Sequence, residues 1–401
     1  MAQALTVEVA VIGGGPAGLT AAIALASAGI ETALIGPEPS DDRRTTALLA
    51  SSVAALEALG VWPDCAGQAA PLRTLRIADD TGRLIRAPEV QFEAGEIGLN
   101  AFGHNIENRH LLAALIRHAG AIGALTRLDT SADRIEPGAH DVRIDLASGG
   151  AVSARLIVAA DGRNSICRTA AGIDTDRRTY PQTALTFNLR HTRPHNDTST
   201  EFHTEEGPFT LVPLPGLRSS LVWVAAPRHA ERIAKLGPDA LSAEIERRSH
   251  SILGRIEAEP GHGRFPLASE TARCFARDRI ALVGEAAHLI PPIGAQGLNL
   301  GLRDAACVAE LAVEARRRGG DVGAHDVLER YDALRRRDVT NRAFAVDLLN
   351  RTLLSDFLPA QSARGLGLYL VGRVGPLRRA AMREGVAPAA WQPRLMRGEV
   401  L

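Results

Sequence analysis

One stretch near the start, VEVAVIGGGPAGLTAAIALASAGIETALI, constrains the fold more than any other. Val7 to Ile12 is a short apolar run ending in glycines, Pro16 to Ala28 carries small and aliphatic residues at helical spacing, and Glu31 to Ile35 is apolar again. That order predicts strand, helix, strand. Gly13, Gly15 and Gly18 form GxGxxG between the first strand and the helix. Such a site needs glycine three times: for a tight turn, for a backbone that approaches a pyrophosphate closely, and for close packing of helix on strand. The helix start then offers unpaired N–H groups and the positive end of its dipole to phosphates. The alternative is a glycine-rich turn with no ligand, but bracketing by strand and helix favours a nucleotide site.

In folds of this kind the second strand usually ends in an acid that binds the adenosine ribose. Here that position is Gly36, which has no group to offer. Glu38, just beyond Pro37, is the candidate replacement, with water as the alternative. A nicotinamide dehydrogenase, which relies on this one nucleotide site, is therefore disfavoured.

A chain of 401 residues exceeds what one hydrophobic core normally serves, so two domains, or one domain with a large insertion, are expected. Lys plus Arg and Asp plus Glu balance at 46 each, with neither a basic stripe nor an aromatic platform, which argues against nucleic acid and for small-molecule partners. Cys65, Cys167, Cys274 and Cys307 are too scattered for a metal site or a disulfide framework, and read as free thiols of a reducing compartment. No metal is expected. The first residues run into the strand with no secretory pattern, and no uninterrupted apolar run reaches the ~18 residues of a membrane span. A cytoplasmic protein is expected.

Further along, SSVAALEALG (residues 51–60) reads as a helix with a serine cap and a terminal glycine, and ENRHLLAALIRHA (107–119) as an amphipathic helix. After residue 120 a hairpin pattern leads to a buried strand, Leu156 to Ala160. From Tyr180 to about Ala226 the chain is almost purely strand-like and suggests a separate antiparallel sheet. A helix from Pro238 to Leu253 follows, then the strand in RIALVGEAA, then a mostly helical, arginine-rich remainder.

Two later motifs decide the cofactor. LIVAADGRNSICR carries Asp161 and Gly162 at a strand end, and about 120 residues on GEAAHLIPPIGAQGLN carries Gly284, Glu285 and His288 before a glycine-rich helix start. With GGGPAG these three motifs, in this order, resemble the single-component flavin monooxygenases typified by p-hydroxybenzoate hydroxylase. The likeness is greater to the ubiquinone-biosynthesis hydroxylases among them, and RRTTALLASSVAALEALGVW, NRHLLAAL and GPFTLVPLP share it. It covers nearly the whole chain.

The resemblance implies an α/β protein with a Rossmann-like FAD-binding domain, an inserted antiparallel-sheet substrate domain and a helical C-terminal region. The FAD-binding domain would comprise 1–75, 101–178 and 271–340, with 76–100 a strand-rich excursion to the substrate domain, 179–270 the substrate domain itself and 341–401 the C-terminal region. One FAD would lie extended across the first domain. Gly13, Gly15, Ala17 and Gly18 would face its pyrophosphate, Glu38 its adenosine ribose, and Gly284 and Glu285 its ribitol. Gly294, Gln296, Gly297, Leu298 and Asn299 would face the pyrimidine end of the ring. Arg44 and Arg109 match family arginines near the phosphates and the flavin edge, and Asp161 a motif assigned to FAD and NAD(P)H contact. A helix starting near Gly297 would aim its positive end at the charge that gathers in reduced flavin. Glu285 departs from the aspartate usual in the family, and the longer carboxylate can still accept a hydroxyl hydrogen bond.

By the same resemblance, NAD(P)H reduces the flavin and O2 supplies the oxygen transferred to an electron-rich phenol ring. No second GxGxxG exists, so NAD(P)H is expected to dock transiently on the FAD domain. The substrate would lie between the ring and the strands from Tyr180 to Ala226, with Pro292 as one wall. The tyrosine pair of the p-hydroxybenzoate enzyme is not reproduced by Tyr180, Tyr331 and Tyr369, so no catalytic base is assigned. His203 reads as a solvated loop residue and His288 as a structural one. The stretch from Leu353 to Pro388, with Arg364, Arg373, Arg378, Arg379 and Arg383, reads either as a basic amphipathic surface for a membrane's inner face or a biosynthetic complex, or as a helical cap on the FAD domain. The expected substrate is a polyprenylated phenol of ubiquinone biosynthesis. A hydroxylase of another aromatic or polyketide, or a non-catalytic flavin-binding subunit, stays open.

Overall fold

The computed structural model describes residues 5–38, 41–82, 86–292, 294–354, 367, 370, 373–386 and 391–401. Arg364 and Tyr369 lie outside them, as does most of 355–372.

The first sheet is built on five parallel strands in the order β19 (Ile280–Leu282), β11 (Ala151–Ala159), β1 (Leu5–Ile12), β2 (Thr32–Ile35) and β8 (Leu125–Leu128). Their near-continuous apolar sequences follow from burial on both faces. Strand β18 (Ala276–Arg277) closes one edge, and β9 (Ala132–Pro137) with β10 (Val142–Leu146) forms an antiparallel hairpin on β11. Helix α1 (Pro16–Ser27) is apolar nearly all round because it packs against the sheet, α4 (Asn108–Gly120) and α8 (Gln296–Arg317) together.

The second sheet runs β20 (His288–Leu289), β17 (Gly263–Ala272), β12 (Thr175–His191), β15 (Arg218–Ala225), β14 (Gly207–Leu214), β13 (Thr198–Thr204), β5 (Thr74–Asp79), β6 (Val90–Glu93), with β16 (Ile256–Ala258) also on β12. Its strands alternate. Leu185, Phe187, Phe202, Phe209, Leu211, Leu221 and Trp223 face one way and form a core with Ile233 of α6 (Pro227–Ala234) and Ile245 of α7 (Pro238–Arg248). A three-stranded sheet, β3 (Thr45–Leu49), β7 (Gly103–Glu107) and β4 (Ala69–Pro71), connects the two large sheets.

Three local expectations are corrected. The helix α2 (Ala50–Ala58) has Leu49, not serine, at its cap. Strand β3 enters it directly, and Leu49 N–H donates to Asn299 Oδ1 at 2.8 Å, so a tertiary contact replaces the local one. Helix α7 stops at Arg248 rather than Leu253, because His250 and Ser251 turn to φ of 53° and 51°, which no helix continues. Leu253 is buried from the loop beyond and packs under the second sheet. His203 lies on β13 and is 2% exposed, not solvated.

The C-terminal helix α10 (Gly375–Val386) docks on the outer edge of the second sheet, not on the first. Met382 and Val386 pack with Val90 and Phe92, while Arg378 lies over the Phe92 ring at 4.6 Å and pairs with Glu96 at 2.6 Å. The remaining long helix, α9 (His325–Leu354), packs on α8.

Candidate functional site

The parallel strands end side by side, and so do the loops that leave them. After β19 comes Gly284–Glu285, after β11 Asp161, after β1 Gly13–Gly15, after β2 Gly36–Glu38, after β8 Asp129. Ligands of open α/β sheets bind at this carboxyl edge. Backbone hydrogen bonds lock the loops together: Gly13 N–H to Ile35 O at 2.7 Å, Ala160 N–H to Ile12 O at 2.8 Å, Val283 N–H to Ala159 O at 2.8 Å.

Sterics explain the glycines. A Cβ on Gly13 would stand 2.2 Å from Ala160 O, and one on Gly18 would stand 2.0 Å from Gly13 O. On Gly15 it would meet nothing within 4 Å, so this residue keeps its backbone open outward at the start of α1. Gly284, at φ 62°, and Gly301 of α8 pack against Ala17 of α1, which brings the third motif onto the first. The same geometry answers the question raised by Gly36. Its Cβ would lie 2.6 Å from Gly14 N, so no acid fits there. A cavity of about 240 Å³ opens beside it, lined by Gly14, Gly36, Glu38, Arg127 and Asp129 among others. Asp129 Oδ1 accepts the Glu38 N–H at 3.0 Å, so two acids share the rim. Sequence reasoning missed Asp129, although an acid directly after a short apolar-edged strand, LTRLD, is the available signal.

Arg44 donates to Asp42 at 2.8 and 2.7 Å and lies over the Phe265 ring at 5.5 Å. Burial would raise the Asp42 carboxyl, but hydrogen bonds from Arg44 and Asn108 outweigh it and hold the group below its ordinary value. Arg109 pairs with Glu107 at 3.1 Å and leaves its Nε buried with no hydrogen-bond partner among the described residues. Glu285 is more than half exposed, with Arg163 at 3.8 Å. Asp161 is engaged within its own loop, accepting from Ser165 Oγ at 2.7 Å and Cys167 N–H at 3.2 Å.

At the start of α8, Pro292, Gly294 and Gly297 are exposed and Gln296 and Leu298 half-buried. Ala295 sits at φ 55°, a left-handed conformation that costs a non-glycine residue about 1–3 kcal/mol. Asn299 maintains it: its Nδ2 donates to Ala295 O at 2.6 Å and Ala47 O at 2.8 Å. The Asn299 side chain is thus committed to β3, and the free N–H groups of the first helical turn are what this end of α8 can offer a ligand.

Behind the third motif lies a buried ionic array that the sequence did not disclose. Asp304, fully buried, accepts Gly284 N–H at 3.0 Å, His288 Nε2 at 2.7 Å and Arg335 Nε at 2.7 Å. Asp338 accepts from Arg303 at 2.9 Å, Arg335 at 2.7 Å and Arg342 at 3.1 Å, and Arg342 reaches Gln296 at 3.0 Å. Burial works to raise the Asp304 carboxyl, yet His288 and Arg335 hold it below its usual range. His288 is 2% exposed and stacked on Phe275, a structural role.

On the second sheet, the face turned away from α6 and α7 is only partly covered. Thr186, Val222, Thr210 and Glu201 are direct cross-strand partners in one row, and each keeps some exposure while the alternate residues are buried. Asn188 Nδ2 donates to Arg43 O at 3.0 Å, and Asn105 Nδ2 to Pro213 O at 2.9 Å and Ser220 Oγ at 3.1 Å, so this face looks onto β3, β7 and the Arg44 segment.

These features fit an extended dinucleotide: open backbone at Gly15 and at Gly297, a cavity beside two acids, and an orphaned guanidinium N–H at Arg109. Comparison with known proteins points to the same group. Residues 6–344 match the family model described as FAD binding domain. The chain is 35% identical to ubiquinone hydroxylase UbiL of Rhodospirillum rubrum, over 98% of its own length and 92% of the relative. It is 32% identical to 3-demethoxyubiquinol 3-hydroxylase of Escherichia coli, over 94% and 97%. Among solved structures it is similar in fold to p-nitrophenol 4-monooxygenase PnpA of Pseudomonas putida, with a TM-score of 0.76 at 20% identity over 96% of this chain and 100% of that one. Klebsiella pneumoniae HpxO complexed with FAD has a TM-score of 0.76 at 20% identity over 95% and 99%.

Proposed function

Because this chain belongs to the FAD binding domain family and is an FAD-dependent monooxygenase, we propose that it hydroxylates the ring of a polyprenylated phenol in ubiquinone biosynthesis, with NAD(P)H as reductant. When bound, FAD supplies reducing equivalents from NAD(P)H and the activation of O2. The chain's own residues supply position and electrostatics. Gly13, Gly15, Ala17 and Gly18 with the start of α1 hold the pyrophosphate; Glu38 and Asp129 the adenosine ribose; Glu285 the ribitol; and Arg44 and Arg109 the phosphates and ring edge. Asp161 orders the loop between them and is available to NAD(P)H docking on the same domain. The N–H groups of Gln296, Gly297, Leu298 and Asn299 favour negative charge at the pyrimidine end. Gly284 and Gly294 permit the close approach, and Pro292 forms a wall between ring and substrate.

The observation that carries this reading is the meeting of five strand-end loops at one edge, facing a half-open sheet surface. The names of the relatives at 35% and 32% identity support the substrate class. We propose further that the exposed side of α10, with Val374, Leu377, Arg379 and Arg383, rests on an anionic membrane surface, where such a substrate dissolves. No helix among the described residues is long and apolar enough to cross a membrane.

The test is incubation of the FAD-loaded protein with NADPH or NADH, ¹⁸O2 and a short-chain prenylphenol. One labelled oxygen in the ring is the expected product. If reductant is consumed and every prenylphenol tried is recovered unlabelled, with hydrogen peroxide accounting for the O2, the substrate class is wrong. Deletion in the source organism is expected to lower ubiquinone and accumulate one under-hydroxylated precursor.

A further inference from the structure

We propose that Glu201, held by His203 and Thr210, is the group that receives the substrate's phenolic O–H and accepts its proton during ring hydroxylation. The inference rests on the phenol reading above and adds the residue that recognises the hydroxyl.

Three observations carry it. The first is place. Glu201 stands in the row Thr186, Val222, Thr210, Glu201, on the partly uncovered face of the second sheet. The row begins at Gly263 and Thr186 beside Phe265, over which Arg44 lies. Two residues along β14 and β15 from Thr210 and Val222, about 7 Å by strand geometry, are Val212 and Ser220, and Ser220 is clasped by Asn105 of β7. Asn105 pairs with Ala47 of β3, whose carbonyl receives Asn299 of α8. The row therefore lies over the strands that carry the start of α8.

The second is chemistry. The Glu201 carboxylate accepts from His203 Nε2 at 2.8 Å and from Thr210 Oγ1 at 3.3 Å, while a fifth of the Glu201 side chain stays exposed. An acid on the cleft face of a strand, fixed by two donors and still reachable, is arranged to accept one more hydrogen bond. Burial would raise its carboxyl, but the hydrogen bond and charge of His203, with the Thr210 hydroxyl, hold it below its ordinary value, so it stands ionised and ready to accept. The third is an unpaired partner. His203 Nδ1 is buried and has no hydrogen-bond partner among the described residues, a vacancy that a bound polar ligand or its water fills.

In the step itself, the proton passes from the phenol oxygen to a Glu201 carboxylate oxygen. The O–H electron pair stays on the substrate oxygen and enriches the ring carbon that attacks oxygen. The proton returns to the product oxygen before release. Thr210 and His203 act as positioning residues through their hydrogen bonds to the carboxylate.

Two variants and two probes test this. The probes are a short-chain prenylphenol and its O-methyl ether, titrated calorimetrically into FAD-loaded protein. Wild-type protein is expected to prefer the phenol by at least about tenfold, since a site built to pair an O–H rejects the analogue that lacks it. E201L, which removes the acceptor, brings the ratio near one. E201Q keeps an acceptor oxygen for His203 and for the phenol, so the preference survives with KM nearly unchanged, while kcat falls about a hundredfold with the lost base. Wild-type kcat in E201Q at normal FAD content overturns the proposal even if E201L does not fold. Wild-type protein that binds phenol and ether alike sinks this inference and leaves the monooxygenase reading intact; failure to bind either removes the phenol reading and this inference with it.

Discussion

Along the carboxyl edge of the parallel sheet the molecule presents backbone, through Gly13, Gly15, Gly36 and Gly284. Across the cleft face of the second sheet it presents side chains, through Thr186, Val222, Thr210 and Glu201. At the edge, Gly13, Gly18 and Gly36 leave no room for a methyl group, because loops from neighbouring strands stand within 2.0 to 2.6 Å of the missing Cβ atoms. On the cleft face a side chain can change in kind while the ladder beneath it stays. A cofactor common to a family is held by the first sort of surface. A substrate that differs between members is met by the second.

The contrast can be broken where the edge is braced from behind. Replacing Asp304 by Asn leaves Arg335 and His288 buried beside a neutral group, and is expected to cost about 3–5 kcal/mol in urea denaturation of the apoprotein. A cost under ~1 kcal/mol would mean that the array does not brace the edge. The same array sets an acid limit. Asp304 and Asp338 are held below their usual carboxyl range in the folded state, so their contribution is present above about pH 4 and is lost as pH falls below it. Denaturation midpoints are expected to be flat from these two groups at neutral pH and to fall in that acid window.

Next in size is a pair of glycine variants that sharpens the comparison directly. G18A drives a Cβ against Gly13 O, and is expected to lower apoprotein stability by about 3 kcal/mol and to abolish FAD binding. G15A meets no protein atom; its cost to the apoprotein is at most about 1 kcal/mol, the ordinary cost of alanine at a helix cap. Its FAD affinity, followed by flavin fluorescence, is expected to fall at least tenfold. Equal losses of stability in the two would show that Gly15 serves the fold rather than the ligand.

Asn299→Ala leaves the Leu49 N–H without its partner and releases Ala295, with an expected loss of about 1–2 kcal/mol. The smallest effect belongs to the outer edge. R378A removes the contacts to Glu96 and Phe92, and is expected to leave the global melt unchanged while exposing 375–386 to protease. Arg378 lowers the Glu96 carboxyl to about 2, so wild-type docking should itself weaken as pH falls toward that value. Protease resistance that persists in R378A would show that Met382 and Val386 alone retain the helix.

The strand, glycine turn and helix at the N-terminus were legible because each constraint there is local: Gly13 for its turn, Pro16 at the helix start, aliphatic residues for a strand covered on both faces. Asp161 and Glu285 could be located at strand ends for the same reason. Their side-chain partners could not be read, and Asp161 proved to be engaged by Ser165 within its loop. Arg335, Asp338 and Arg342 recur at helical spacing, which in a sequence reads as a solvated face. Here that stripe turns inward, because Arg303 and Asp304 on α8 supply the opposite charges. His203 was taken for a loop residue because β13, TSTEFHT, has polar residues on both sides of its alternation, the mark of a strand with one face in a cleft rather than in the core.

The order of residues alone determined that this chain folds around a parallel sheet with phosphate-accepting turns at its strand ends, since glycine sterics and helix dipoles act within a few neighbours. Only the tertiary structure decided which acid stands beside Gly36, what braces Gly284, and that Glu201 shares a row with Thr210, Val222 and Thr186. Those outcomes depend on strand register and helix facing, which are fixed when distant segments pack and are not written in any one of them.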